Sequence, residues 1–112
     1  MGEATDISDI SARAVDLAGL VAYQQGAVVS RTLIKKGQGT VTLFAFDRGE
    51  GLSEHTAPYD ALVCMLEGRA RIKIGTQSLD AGAGQLVVMP ASVPHALHAP
   101  ERFKMMLVMI RA

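Results

Sequence analysis

Apolar and polar residues alternate along this chain with two different periods. Near the N-terminus Ile7, Ile10, Ala14, Leu17 and Val21 recur at helical spacing within a polar leader. Asp6 is placed to cap such a turn. An extended arm lying on a partner fits the same residues. From Gly26 the period shortens. Residues 27–36 (AVVSRTLIKK) and 40–47 (TVTLFAFD) are rich in β-branched side chains and end near glycines. Residues 61–66 form a third run. In residues 69–75 Arg69, Arg71 and Lys73 fall on one face and Ala70, Ile72 and Ile74 on the other, the pattern of a half-exposed strand. Shorter runs follow at 77–79, 85–89, 95–98 and 103–110. Glycines at positions 39, 49, 51, 68, 75, 82 and 84 punctuate them. Short strands between regular turn signals predict an all-β sandwich or barrel. No helical pattern falls between them, which disfavours βαβ units. The expected organisation is an arm over residues 1–25 and one β-barrel domain over 26–112.

Two strands are apolar on both faces. Residues 61–66 set Ala61, Val63 and Met65 against Leu62, Cys64 and Leu66. Residues 103–110 set Phe103, Met105, Leu107 and Met109 against Met106, Val108 and Ile110. An antiparallel strand with one wet face would alternate. Such strands are expected to face a core on one side and a subunit or covering arm on the other. A homodimer is the economical explanation.

Composition sharpens this picture. Hydrophobic residues make up 49% of only 112, and that fraction is large for the interior available. Lysine plus arginine number 11, as do aspartate plus glutamate, and the balance argues against nucleic acid. No apolar run reaches the roughly 20 residues of a membrane span. The opening MGEATDISDI is polar and acidic, unlike a secretory signal. Cys64 is the one cysteine, so no intramolecular disulfide or CxxC site exists. A cytoplasmic setting is expected.

The candidate chemistry lies in two stretches of similar style. Gly49 to Gly68 runs from glycines through His55 into an apolar strand. Gly82 to His98 runs from glycine through an apolar strand and a proline-marked turn to His95. These residues resemble the cupins, small jelly-roll barrels (double-stranded β-helices) with two motifs, G-x5-H-x-H-x3,4-E-x6-G and G-x5-P-x-G-x2-H-x3-N. Gly49, His55 and Gly68 match the first motif. Gly84, Pro90 and His95 match the second, and Ser92 stands at its inner glycine. The resemblance spans roughly residues 26–110. It implies a pocket inside the barrel lined by His55 and His95.

In the family, two histidines and a glutamate of the first motif and the histidine of the second hold a divalent metal. Here the second histidine position is Ala57, the glutamate position Ala61 or Leu62, and the closing asparagine position Ala99. His55 and His95 are what remain of that set. Asp60 lies one or two residues early, and Pro58-Tyr59 could bend the chain enough to re-aim it. Cys64 shares parity with the missing glutamate, so its thiolate could enter the barrel; as a mid-strand residue it also reads as a small buried hydrophobe. His98 is a third histidine candidate for holding the ion, but strand alternation puts it opposite His95, and it also reads as a surface histidine. Glu54 is expected to point away from His55. Tyr59 and Asp60 are placed at the barrel mouth, as ligand contacts or as loop packing.

Three functions fit. The first is a cupin that binds a small ligand, with or without a divalent ion such as Zn, Fe, Mn or Ni, near His55, Tyr59, Asp60 and His95. The second is a metal-dependent dioxygenase or isomerase acting on a small organic molecule. The third is metal-free acid–base catalysis of the sugar-epimerase kind, with an imidazole as base.

Overall fold

The computed structural model describes residues 7–112. Eight strands are found among them: β1 (Val28–Lys36), β2 (Gly39–Phe46), β3 (Gly51–His55), β4 (Tyr59–Ile74), β5 (Gln77–Gly82), β6 (Leu86–Met89), β7 (His95–His98) and β8 (Phe103–Arg111). All pairings are antiparallel, along the path β1-β2-β8-β4-β7-β3, with β5 and β6 on the other side of β4. This is the expected all-β jelly-roll barrel.

The two runs expected on either side of Gly68 are one strand. β4 continues through Gly68 and passes from one sheet to the other. Its first half pairs with β8 and β6, its second with β7 and β5. The register slips between Met65 and Glu67. Gly68 has φ +74, and a Cβ there would overlap the Arg102 carbonyl oxygen. The glycine thus permits the bend instead of ending the strand.

The interior lies between the two sheets. Ala61, Val63, Met65, Ala70 and Ile72 of β4 meet Phe46 of β2 and Phe103 and Met105 of β8. The Phe46 and Phe103 rings stack with centroids 4.4 Å apart. Arg69, Arg71 and Lys73 are exposed, as their alternation requires.

The helical spacing of the N-terminal segment yields only a 3₁₀ turn, Ala18–Leu20. Asp6 lies outside the described residues. Leu17, Leu20, Val21 and Tyr23 instead pack on the outer face of the sheet, against Leu43 and Ala45 of β2, Leu66 and Met106. Burial of one stripe on a sheet does not require the segment's own helical hydrogen bonds, so the apolar spacing survives without the helix. No helix among the described residues is long and apolar enough to cross a membrane.

Candidate functional site

His55 ends β3 and His95 opens β7, and these strands are neighbours. Their register begins with Gly51 opposite His98 and Leu52 opposite Leu97, which would put Glu54 opposite His95. An irregularity between Leu52 and His55 adds one residue to β3, so that His55 is the residue opposite His95. One extra residue reverses the side on which a strand's side chains emerge. This bulge turns His55 inward and leaves Glu54 outside, where it pairs with Lys73 at 3.3 Å.

The imidazoles meet. Their centroids are 4.4 Å apart with planes at 69°, and Nε2 of His95 lies 3.1 Å from Nε2 of His55. His95 is 7% exposed, whereas His55 is open to solvent. Each Nδ1 faces a backbone carbonyl two residues upstream: Ser53 O at 2.8 Å for His55, and Val93 O at 3.3 Å for His95. A carbonyl oxygen only accepts. Each neutral ring therefore carries its proton on Nδ1 and presents a lone pair at Nε2, an assignment that follows from the partners. Two lone pairs then point at one another across 3.1 Å. A single proton between the rings satisfies both; two protons would set like charges face to face. Burial holds the His95 pKa below its ordinary value; the Val93 carbonyl opposes this and charge on His55 adds to it.

The turn before His95 is anchored at several points. Ser92 has φ +64, a left-handed conformation, where the family motif carries glycine. Its N–H donates to Ala57 O at 2.9 Å, and Gly75 N–H donates to Pro94 O at 2.8 Å. Asp60 supplies a third tie: its carboxylate accepts the Ala91 N–H at 2.9 Å. Asp60 is exposed and alternates with inward-facing Ala61, so its carboxylate is engaged with the β6–β7 loop and does not join the imidazoles. Tyr59 is half-buried with the inward parity of β4. His98 is exposed on the opposite face from His95, as expected.

Of the two readings of Cys64, the one in which its thiolate enters the barrel is corrected. The inward residues are Val63 and Met65, so Cys64 emerges on the outer face, between Leu86 of β6 and Met106 of β8. The same parity makes Ala61 the inward residue at the glutamate position. Sequence reasoning missed the two carbonyls that orient the rings and the bulge that pairs them. Neither has a side-chain signature.

The donor set decides whether a family-type metal fits. Two imidazoles converge, but no group of three His, Cys, Asp or Glu side chains that could hold an ion occurs among the described residues. Ala57, Ala61 and Ala99 offer only methyl groups at the remaining positions. These residues do not fit a centre of three or four protein donors. A cleft of about 510 Å³ lies between β5 and β6 and is lined by neither imidazole. Ile74 on its wall is the cross-strand partner of His95. The ring pair thus lies outside this cleft.

Residues 42–111 match the cupin domain family. A conserved protein of unknown function from Streptococcus pyogenes is 39% identical, with 90% of this chain and 89% of that chain covered and a TM-score of 0.87. A cupin superfamily protein from Desulfitobacterium hafniense is 30% identical over 90% of this chain and 93% of that chain, with a TM-score of 0.86. A cupin 2 conserved barrel domain protein from Leptotrichia buccalis is 37% identical over 87% of this chain and 47% of that chain, with a TM-score of 0.84. No curated protein matches.

Proposed function

The chain belongs to the cupin family, and from that premise we propose that it binds a small organic acid at the His55–His95 imidazole pair. The observation that supports this is the 3.1 Å separation of two Nε2 atoms whose Nδ1 atoms already face carbonyls. The pair lacks a proton between its lone pairs. Near neutral pH the ligand arrives as a carboxylate; its charge favours uptake of that proton from solvent, and the carboxylate then lies beside the resulting imidazolium, a charge-assisted contact. His55, open to solvent, is the side from which the ligand approaches. In this reading Tyr59 is a ligand contact, and Asp60 is the tie that holds the loop before His95. The protein acts in the cytoplasm as a homodimer.

Thermal-shift measurements with small carboxylic acids and their amides test this reading. Acids should raise the melting temperature and the matched amides should not. The acid-induced shift should shrink as pH rises from 6 to 8, because binding takes up a proton. His55→Ala and His95→Ala should each abolish it. Equal shifts from amides, or shifts that survive both substitutions, would overturn the proposal.

The alternative is a metal-dependent dioxygenase or isomerase. Convergence of two Nε2 atoms is the one observation in its favour, and the two-donor set argues against a tightly held ion. The chain is expected to lose Fe, Mn, Ni or Zn on desalting. Stoichiometric metal that persists, and is lost in His95→Ala, would restore this alternative.

A further inference from the structure

Each half of β4 carries one strand that has no other neighbour: β6 on the first half and β5 on the second. The free edges of β5 and β6 flank the cleft of about 510 Å³. That volume falls within the roughly 300–1,000 Å³ usual for small-ligand sites. Ile74, Leu79 and Val87 line the cleft and pack directly on the core cluster, to which Ala81, a fourth lining residue, belongs. The cleft is thus a gap between the two sheets at which half-buried interior side chains meet solvent. Covering them removes apolar area from water.

Three polar side chains share this lining: Gln77, Asp80 and Gln85. Asp80 is the charged one, and it is already engaged. Arg71 Nε and Nη2 lie 3.0 and 3.4 Å from its two oxygens, and the hydrogen bond from Arg71 holds its carboxyl below its ordinary pKa. A second carboxylate meets repulsion from Asp80, and a cation must compete with Arg71. The Gln85 amide is fixed in orientation. Its Oε1 accepts the Gly82 N–H at 2.8 Å, which leaves the two Nε2 hydrogens as donors. Gln77 adds a second amide. Strands paired on one side also leave backbone N–H and C=O groups at their free edges.

An aliphatic floor, a fixed amide donor and a lining without an unpaired charge together define what fits. We infer that this cleft is a second binding site, for an uncharged ketone or ester with a hydrocarbon ring or chain. Its carbonyl oxygen accepts from Gln85 Nε2, and its hydrocarbon part covers Ile74, Leu79 and Val87. The site is separate from the imidazole pair and does not depend on the acid reading. Small amides lack the hydrocarbon part that the floor requires, so the comparison of acids with amides at the imidazoles is undisturbed.

Benzylacetone and hydrocinnamate, added to the full chain, test the assignment. Both carry a phenylethyl body, ending in a methyl ketone in the first and a carboxylate in the second. In nitrogen–proton correlation spectra the ketone should shift the β5 and β6 amides saturably, with cross-peaks from its ring to the Leu79 and Val87 methyls. The carboxylate should leave those amides in place. The ketone shifts should persist in His55→Ala, which leaves the cleft intact. Gln85→Glu keeps an oxygen for the Gly82 N–H but loses the donor, and should weaken ketone binding about fivefold or more. Val87→Phe fills the cleft from a half-buried position and should abolish binding with an unchanged far-ultraviolet spectrum. Absence of saturable shifts at β5 and β6, or equal shifts with the carboxylate, would overturn the site. So would ketone binding that survives Val87→Phe or is lost in His55→Ala. Unchanged affinity in Gln85→Glu would overturn the recognition of the carbonyl.

Discussion

At His95, burial and a facing imidazole both disfavour the charged ring, and the Val93 carbonyl only partly offsets them. A histidine whose folded pKa lies below the unfolded value of about 6.5 takes up its proton more readily in the unfolded chain. Its contribution to stability is therefore intact above pH 6.5, declines as pH falls through that value, and levels off below the folded pKa. The melting temperature should drop between pH 7.5 and pH 5.5, and His95→Gln should flatten that drop. An unchanged slope in the variant would place the titration elsewhere. The same residue explains the proposed preference for acids. An anionic ligand beside the ring favours uptake of a proton from solvent and so reverses the balance that keeps His95 neutral.

Among the elements, the arm is held by a clasp at Tyr23 as well as by the Asp9–Arg31 ion pair at 3.1 Å. The Tyr23 hydroxyl donates to Glu67 Oε2 at 2.7 Å, and the Arg102 and Lys104 cations lie 5.1 and 5.0 Å from its ring centroid. Lys104 also donates to Ala18 O at 2.7 Å, tying β8 to the 3₁₀ turn. Burial, then the Glu67 carboxylate, pushes the phenol pKa up, so the hydroxyl stays a donor at any physiological pH. Tyr23→Phe keeps the ring and leaves the Glu67 carboxylate without its phenol. The expected loss is about 1–2 kcal/mol in urea unfolding. Faster amide exchange around Leu20 and Val21 should accompany it, because the arm is the element released. A stability equal to that of the parent would mean that the apolar stripe and the remaining polar ties hold the arm without the phenol.

For the whole molecule, the decisive feature is that one strand serves both sheets. β4 bends at Gly68, and everything that faces the interior from either sheet is placed by that bend. Gly68→Ala imposes about 1–2 kcal/mol of left-handed strain and also drives a methyl group into the Arg102 carbonyl and Phe103 Cα. Phe103 is fully buried in its stack on Phe46, so the neighbour cannot yield without opening the core. The loss should exceed the strain alone and consume a large part of the 5–15 kcal/mol typical of a domain. Melting within a few degrees of the parent would show that the bend has slack.

The strands, their turns and the matching places of His55 and His95 were legible in the sequence, because alternation and glycine spacing are local properties of a chain. Locality also sets the limit. In residues 61–66 both faces are apolar, so periodicity separates the faces without saying which is inward, and parity with the missing glutamate left an inward Cys64 open where the structure turns it outward. Gly68 resembled a strand end because a positive φ serves equally for a stop and for a bend. Asp60 carried no mark of the loop amide it accepts, which lies 31 residues away. The extra residue that rotates His55 toward His95 exists only by reference to β7. Register belongs to a pair of strands and not to either one, so tertiary pairing alone brought the two imidazoles within 3.1 Å.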